Sequence, residues 1–207
     1  MIIAVDGPAA SGKGTIARAL ARHFGLPHLD TGLLYRAVGI AVLRGGGDPS
    51  VEADAIAACG FSDGMLADPA LKSEAAGAAA SKVSIFPAVR RALMDYQRIF
   101  ADQPGGAVLD GRDIGTVIAP DAQAKLFVTA SPEVRARRRH EELARMDIAT
   151  HYESVLTDIR ARDERDMGRA TAPLRRADDA DLLDTSDMSI DAAVQRAIAL
   201  VENRKKR

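Results

Sequence analysis

Gly7, Gly12 and Lys13, within DGPAASGKGT at residues 6–15, have the spacing of a phosphate-binding loop, G-x-x-x-x-G-K-[S/T]. The hydroxyl arrives one residue late, at Thr15, because Gly14 follows the lysine. Gly7, Pro8, Ala9, Ala10, Ser11, Gly12, Lys13, Gly14 and Thr15 are therefore the expected nucleotide-binding segment. In such a loop successive backbone N–H groups converge on phosphate oxygens, and the N-terminus of the next helix adds partial positive charge. Lys13 would bridge the β and γ phosphates of a triphosphate. Since Gly14 has no side chain, phosphate oxygens and water must carry more of the Mg2+ coordination, or Thr15 must help. No protein metal cage is expected.

Phosphoryl transfer to an acceptor that is itself a phosphate needs no general base, because the attacking oxygen is already ionised. It needs alignment of two anionic groups and neutralisation of their repulsion. Converging arginines are the signature to look for, and Arg outnumbers Lys by 22 to 6. LDTGLLYR puts Arg36 about one and a half turns into a helix, with Thr31 at its start. VLDGRDIG puts Arg112 and Asp113 at the carboxyl end of a strand, where α/β sheets bind ligands. In RARDERDMGR, Arg162, Asp166 and Arg169 fall at i, i+4 and i+7, sharing one face if the helix persists that far; a surface ion-pair ladder has the same spacing. The histidines, His23, His28, His140 and His151, are expected to be surface or structural residues.

Elements that could position these residues are legible around them. Residues 1–5 read as a buried strand, and 12–24 as a helix closed by Gly25. LPHLD reads as a strand, and TGLLYRAVGIAVLRGGG as a helix capped at Asp30 or Thr31 and stopped by Gly45 to Gly47. Residues 48–102 are Ala-rich and mostly helical in pattern, with breaks near 60–68 and at Pro87, and read as an insert. AVLDGRDIG and AKLFVTA are strands. Ser131 caps the next helix with Pro132 at its first position, another helix covers about 151–166, and DLLDT and residues 190–203 supply a last strand and helix. Strands alternating with helices predict a mainly parallel sheet covered on both sides.

The 207 residues suit one α/β domain with inserts. Apolar residues at 47%, charged residues at 28% and net charge −1 describe a soluble globular chain. No signal peptide and no membrane span are expected. The single Cys59 excludes an internal disulfide, suits a reducing cytoplasm and is expected to act as a small buried apolar residue. The basic tail NRKKR reads as a solvated end. A GTPase would carry N-K-x-D, but the one asparagine is Asn203. A motor or helicase would need an acidic pair ending a strand, and AVLDGRD is spaced differently. A nucleic-acid-dependent ATPase should be basic or aromatic-rich, whereas aromatics total 4%. Adenylate kinases often have a long, sometimes zinc-bound lid, for which neither the length nor the cysteines are present; shikimate kinases are the other small-molecule alternative.

Taken in order, DGPAASGKGT, LDTGLLYR, AASKVSIFPAVR, LDGRDIGTVIAPDAQAKLFVTAS, RARRR and RDERDMGRATAPL resemble the bacterial cytidylate kinases, members of the nucleoside monophosphate kinases. The resemblance implies an α/β P-loop fold: a doubly wound parallel five-stranded sheet with helices on both faces, a mostly helical monophosphate-binding insert at about 31–101 and a short lid at about 131–150, in one domain of residues 1–207. It implies transfer of the γ-phosphoryl group of ATP, with Mg2+, to CMP or dCMP. Lys13, Arg36, Arg112 and Arg169 are the implied catalytic residues. Thr31, Ser81, Arg90 and Asp113, with Arg36, Arg112, Arg162, Asp166 and Arg169, are the implied substrate ligands. Ser81, Arg90 and Asp113 would meet cytosine, whose N4 amino group suits a carboxylate and whose N3 and O2 suit Arg or Ser. Asp166, positioned by Arg162, would meet the pentose hydroxyl, and Arg138 of the lid would meet ATP. A cytoplasmic monomer acting on small molecules, without nucleic acid or membrane, is implied. Two departures stand out: Thr31 where the family often has Ser, and a stretch at 59–73 shorter and less strand-like than the family's usual β-rich insert.

Overall fold

The structure, a computed structural model, describes residues 1–205; Lys206 and Arg207 of the basic tail lie outside them. Thirteen regular helices and strands follow one another: β1 (Ile2–Asp6), α1 (Lys13–Phe24), β2 (His28–Asp30), α2 (Thr31–Arg44), α3 (Glu52–Ala57), α4 (Glu74–Val83), α5 (Pro87–Ala101), β3 (Ala107–Gly111), β4 (Ala124–Thr129), α6 (Pro132–Arg145), α7 (Tyr152–Met167), β5 (Asp181–Asp184) and α8 (Ile190–Lys205). The five strands form one parallel sheet in the order β2-β3-β1-β4-β5. This is the expected fold class. Strand β1 lies in the middle, pairing Asp6 with Gly111 of β3 on one side and with Phe127 of β4 on the other. From β1 the chain runs to the edge strand β2, returns inward to β3 and then passes β1 to reach β4, so the loops leaving β1 and β3 lie at the carboxyl ends of neighbouring strands, where such sheets bind ligands.

By contacts the chain forms two compact units, Met1–His28 with Ala101–Arg207, and Leu29–Phe100. In the first, Ile3, Val5, Val108, Leu126, Val128 and Leu183 of the sheet pack with Ile16 and Leu20 of α1 and Ala197 and Val201 of α8. Because β1 is buried on both faces, its residues run apolar without alternation. Each enclosed aliphatic side chain contributes about 1.5–3 kcal/mol. A smaller cluster joins Ala136 and Leu143 of α6 to Val155, Leu156 and Ile159 of α7.

In the second unit, α2 packs on α4 through Leu34, Val38, Ala80 and Val83, with Val89 and Leu93 of α5. Gly39 permits the close approach, since a Cβ there would lie 2.6 Å from that of Ala79. Residues 58–72 form short 3-10 turns rather than strands. Cys59 is half-buried rather than enclosed, its Sγ donating to the Ala55 carbonyl at 3.3 Å. It sits at the rim of this core because the turns around it are too short to cover it.

Candidate active site

The loop between β1 and α1 takes the shape of a phosphate cradle. Gly12 precedes the helix in the left-handed region at φ 87°, and no side chain caps the helix start. The first turn of α1 carries no acidic residue, which leaves its positive end for an anion. Ala10 is also left-handed at φ 57°, a strained conformation for a residue with a Cβ. Gly7 passes so close to β4 that a Cβ would lie 2.0 Å from the Val128 carbonyl oxygen. Lys13 Nζ donates to the Pro8 carbonyl at 3.2 Å, and the hydroxyl of Ser11 is buried without a hydrogen-bond partner among the described residues. An orphaned buried hydroxyl and an uncapped helix start fit a loop that closes around phosphate.

Asp110 near the end of β3 completes this corner, although the sequence pattern did not single it out. Its Oδ1 accepts from His28 Nε2 at 2.7 Å, and its Oδ2 lies 3.6 Å from where a Gly14 Cβ would stand. The buried carboxylate thus borders the space that the missing side chain of residue 14 leaves. Thr15 is exposed, its Oγ1 3.4 Å from Arg18 Nη2.

After β3 the chain enters a π-helical turn, Ile114–Ile118. Asp113 sits at its cap position, but the cap is supplied by Asp6, whose two oxygens each accept one amide, from Ile114 and from Gly115, both at 2.8 Å. Burial pushes the Asp6 carboxyl up from 3.8 to about 7 against those two amides; the Asp113 charge adds to the rise and Lys13 opposes it.

Arg112 beside Asp113 donates from Nε to Asp166 Oδ2 at 2.7 Å, and Arg169 Nη2 donates to Asp166 Oδ1. Helix α7 ends at Met167, close to where the sequence pattern ends it, so the shared face that required the helix to persist does not form and Arg169 reaches Asp166 from beyond the helix. Arg112 and Arg169 hold the carboxylate directly, and Arg162 is a third positive group acting on it. Burial would raise the Asp166 pKa, but the fields of Arg112, Arg169 and Arg162 outweigh it and hold the group down at about 2. Three guanidiniums thus gather around one carboxylate.

Of the RARRR run, Arg135 turns inward. It is buried against Asp163 at 2.5 Å and donates to the carbonyls of Ala130 at 2.8 Å and of Ala9, in the phosphate loop, at 3.2 Å. Arg138 donates to Thr185 Oγ1 at 3.0 Å and to the Thr185 carbonyl at 2.6 Å. The Thr185 hydroxyl lies 3.2 Å from the Ser11 carbonyl. Both arginines are thereby tied to the phosphate loop, Arg135 directly and Arg138 through Thr185.

In the second unit, Thr31, Ser81 and Arg90 are buried. Asp30 caps α2 by accepting from the Gly32 amide at 3.0 Å. Arg36 Nη1 donates to the Leu71 carbonyl at 2.7 Å, and the Arg90 guanidinium lies 5.5 Å from the Tyr35 ring centroid, a cation–π distance. Ser84 Oγ donates to the Ser81 carbonyl, fixing the last turn of α4.

No group of three or more His, Cys, Asp or Glu suited to a metal occurs among the described residues, and no described helix is long and apolar enough to cross a membrane.

The family model for cytidylate kinase matches residues 3–203. A cytidylate kinase of Xanthobacter autotrophicus is 61% identical over 206 residues, covering 99% of this chain and 99% of that protein. One from Azorhizobium caulinodans is 59% identical, covering 98% of each. Among solved structures, an uncharacterized protein from Eubacterium ventriosum shares the fold with a TM-score of 0.59 at 15% identity, covering 98% of both chains. Since the matched span runs from β1 into α8, the chain belongs over almost its whole length to the cytidylate kinase family.

Proposed function

We propose that this chain transfers the γ-phosphoryl group of ATP to CMP or dCMP, giving ADP with CDP or dCDP. The observation that carries the reading is the gathering of Arg112, Arg169 and Arg162 around Asp166, with Arg112 next to Asp113 in the chain leaving β3. A site that must bring two anionic phosphates together needs fixed positive charge in low dielectric and no base. Arg112 and Arg169 with Lys13, and Arg36 from α2, would neutralise the transferring group and the acceptor phosphate. The pKa of about 2 keeps Asp166 ionised at every working pH, so it accepts from a pentose hydroxyl and steadies two arginines at once. Asp113, Ser81 and Arg90 are the cytosine ligands of this reading, and Thr31 a further substrate contact.

The donor triphosphate takes the loop from Gly7 to Thr15, with Arg138 over it on the lid. Mg2+ fits the oxygen donors present there, the Thr15 hydroxyl and the Asp110 carboxylate. When bound, the ion neutralises charge shared by the β and γ phosphates. His28 holds Asp110 in place for that role. Residues 31–101 form the monophosphate-binding insert and residues 131–150 the lid of a single catalytic domain. We place the enzyme in the cytoplasm as a monomer acting on small molecules, a reading supported by the single cysteine and the absence of a membrane-spanning helix among the described residues.

Coupled ADP formation across CMP, dCMP, UMP, AMP and shikimate tests the assignment. CMP and dCMP are expected to lead; turnover of AMP or UMP equal to or above that of CMP would overturn it.

A further inference from the structure

Asp6 has no part in the mechanism above, yet its placement is closely fixed. It ends β1, one residue before the phosphate loop, and is 5% exposed. Its two oxygens take the first two amides of the turn Ile114–Ile118, from a residue 108 positions away in the chain. A helical turn ordinarily has its first amides accepted by the side chain at its own cap position, and an Asp there is among the best acceptors. Here that position is Asp113, whose side chain makes no cap hydrogen bond. Gly115 is packed in as well, since a Cβ on it would lie 3.1 Å from Lys125 Cδ and 3.4 Å from Asp6 Oδ2.

We propose that Asp6 is a positioning residue for base selection: by capping the 114–118 turn in place of Asp113, it holds the Asp113 carboxylate in the orientation that reads the acceptor base. The idea rests on the CMP kinase reading above. It makes β1 serve two ligands, with the phosphate loop leading to the donor and Asp6 setting the acceptor turn. The charged groups whose fields reach Asp6 are Asp113 and Lys13, one from each side of the reaction. Burying a carboxylate with so high a pKa is costly, and its two amide bonds are the visible return.

The test compares wild type with Asp6→Asn, which retains a single acceptor oxygen and adds a donor opposite an amide. Steady-state kinetics with CMP, UMP and ATP are combined with hydrogen–deuterium exchange of the peptide covering residues 112–118. Expected are a CMP KM raised tenfold or more, a CMP-over-UMP preference reduced by a similar factor, an ATP KM within about twofold of wild type, and faster exchange in the 112–118 segment. Unchanged CMP preference with unchanged exchange would overturn the proposal. So would ATP and CMP KM rising together, which marks general damage. Should the variant not fold, the wild type alone decides. The Ile114 and Gly115 amides, each held by an Asp6 oxygen, should be protected from hydrogen exchange, and exchange of both at the rate of open loop amides would overturn the capping role. A wild type that prefers another acceptor refutes the CMP reading; a wild type that prefers CMP beside an equally selective Asp6→Asn refutes only the role of Asp6.

Discussion

Arg112 Nε lies 2.7 Å from Asp166 Oδ2, with Arg169 on the other oxygen of the same carboxylate. Asp166 is 1% exposed, so Asp166→Asn leaves two guanidiniums facing a neutral group in a dry site. A loss of about 3–5 kcal/mol in folding stability is expected, the scale for removing one partner of a buried ion pair, and urea denaturation at pH 7 measures it. The native pKa of about 2 lies below the ordinary 3.8. Its contribution of about 2 kcal/mol is therefore complete above pH 4 and disappears as the pH falls towards 2.

Asp6 acts in the opposite direction. Its native pKa of about 7 lies above the ordinary 3.8, so between those values the folded protein holds a proton that the unfolded chain has lost. The contribution to stability is complete below pH 4, and up to about 4 kcal/mol of it is lost as the pH rises to 7, after which it levels off. Denaturation at pH 5 and pH 8 should show wild type less stable at pH 8, with Asp6→Asn showing a flatter dependence. A variant as steep as wild type would assign the slope to other groups.

Two glycines of the phosphate loop should respond oppositely to alanine. Gly7→Ala pushes a Cβ into the Val128 carbonyl at 2.0 Å, a backbone atom of the sheet that cannot move aside. About 3 kcal/mol of stability, or about 10 °C in Tm, should be lost. Gly14→Ala meets Arg18 and Asp110 at 3.5 and 3.6 Å, ordinary contact, and improves helix propensity by up to about 1 kcal/mol. Its Tm should hold or rise by calorimetry.

Lys13→Ala and Asp113→Ala separate donor from acceptor. Lys13→Ala should slow turnover with every acceptor alike. Asp113→Ala should lose about 1–3 kcal/mol of preference for CMP over UMP, the scale of a bidentate base contact. Ratios of kcat/KM for the two acceptors measure both; an unchanged CMP preference in Asp113→Ala would remove it from the cytosine site.

What the sequence made legible was local. The strand, glycine loop and helix around Lys13, the Asp30 cap, and the Ser131 and Pro132 helix start all depend on neighbours within a few residues. Residues Asp6, Asp110 and Arg135 escaped because their partners lie 82 to 126 positions away, at Ile114, His28 and Ala9, and no periodicity encodes such a pairing. Arg169 was recognisable as an Asp166 partner from spacing, and the helix was legible at about 151–166, its end at Met167 marked by Gly168 directly after it. The half-exposure of Cys59 depends on 3-10 turns, whose short pattern leaves no stripe to read.

The strand order has a consequence for synthesis on the ribosome. Strand β1 emerges first, yet both its neighbours, β3 and β4, begin at Ala107 and Ala124. Its backbone amides and carbonyls therefore stay unpaired until more than half the chain has been translated, a long-range closure of the kind that slows folding. The Leu29–Phe100 unit is translated just before then and can bury its helices first. The phosphate loop, although the first functional segment translated, should be among the last to take shape.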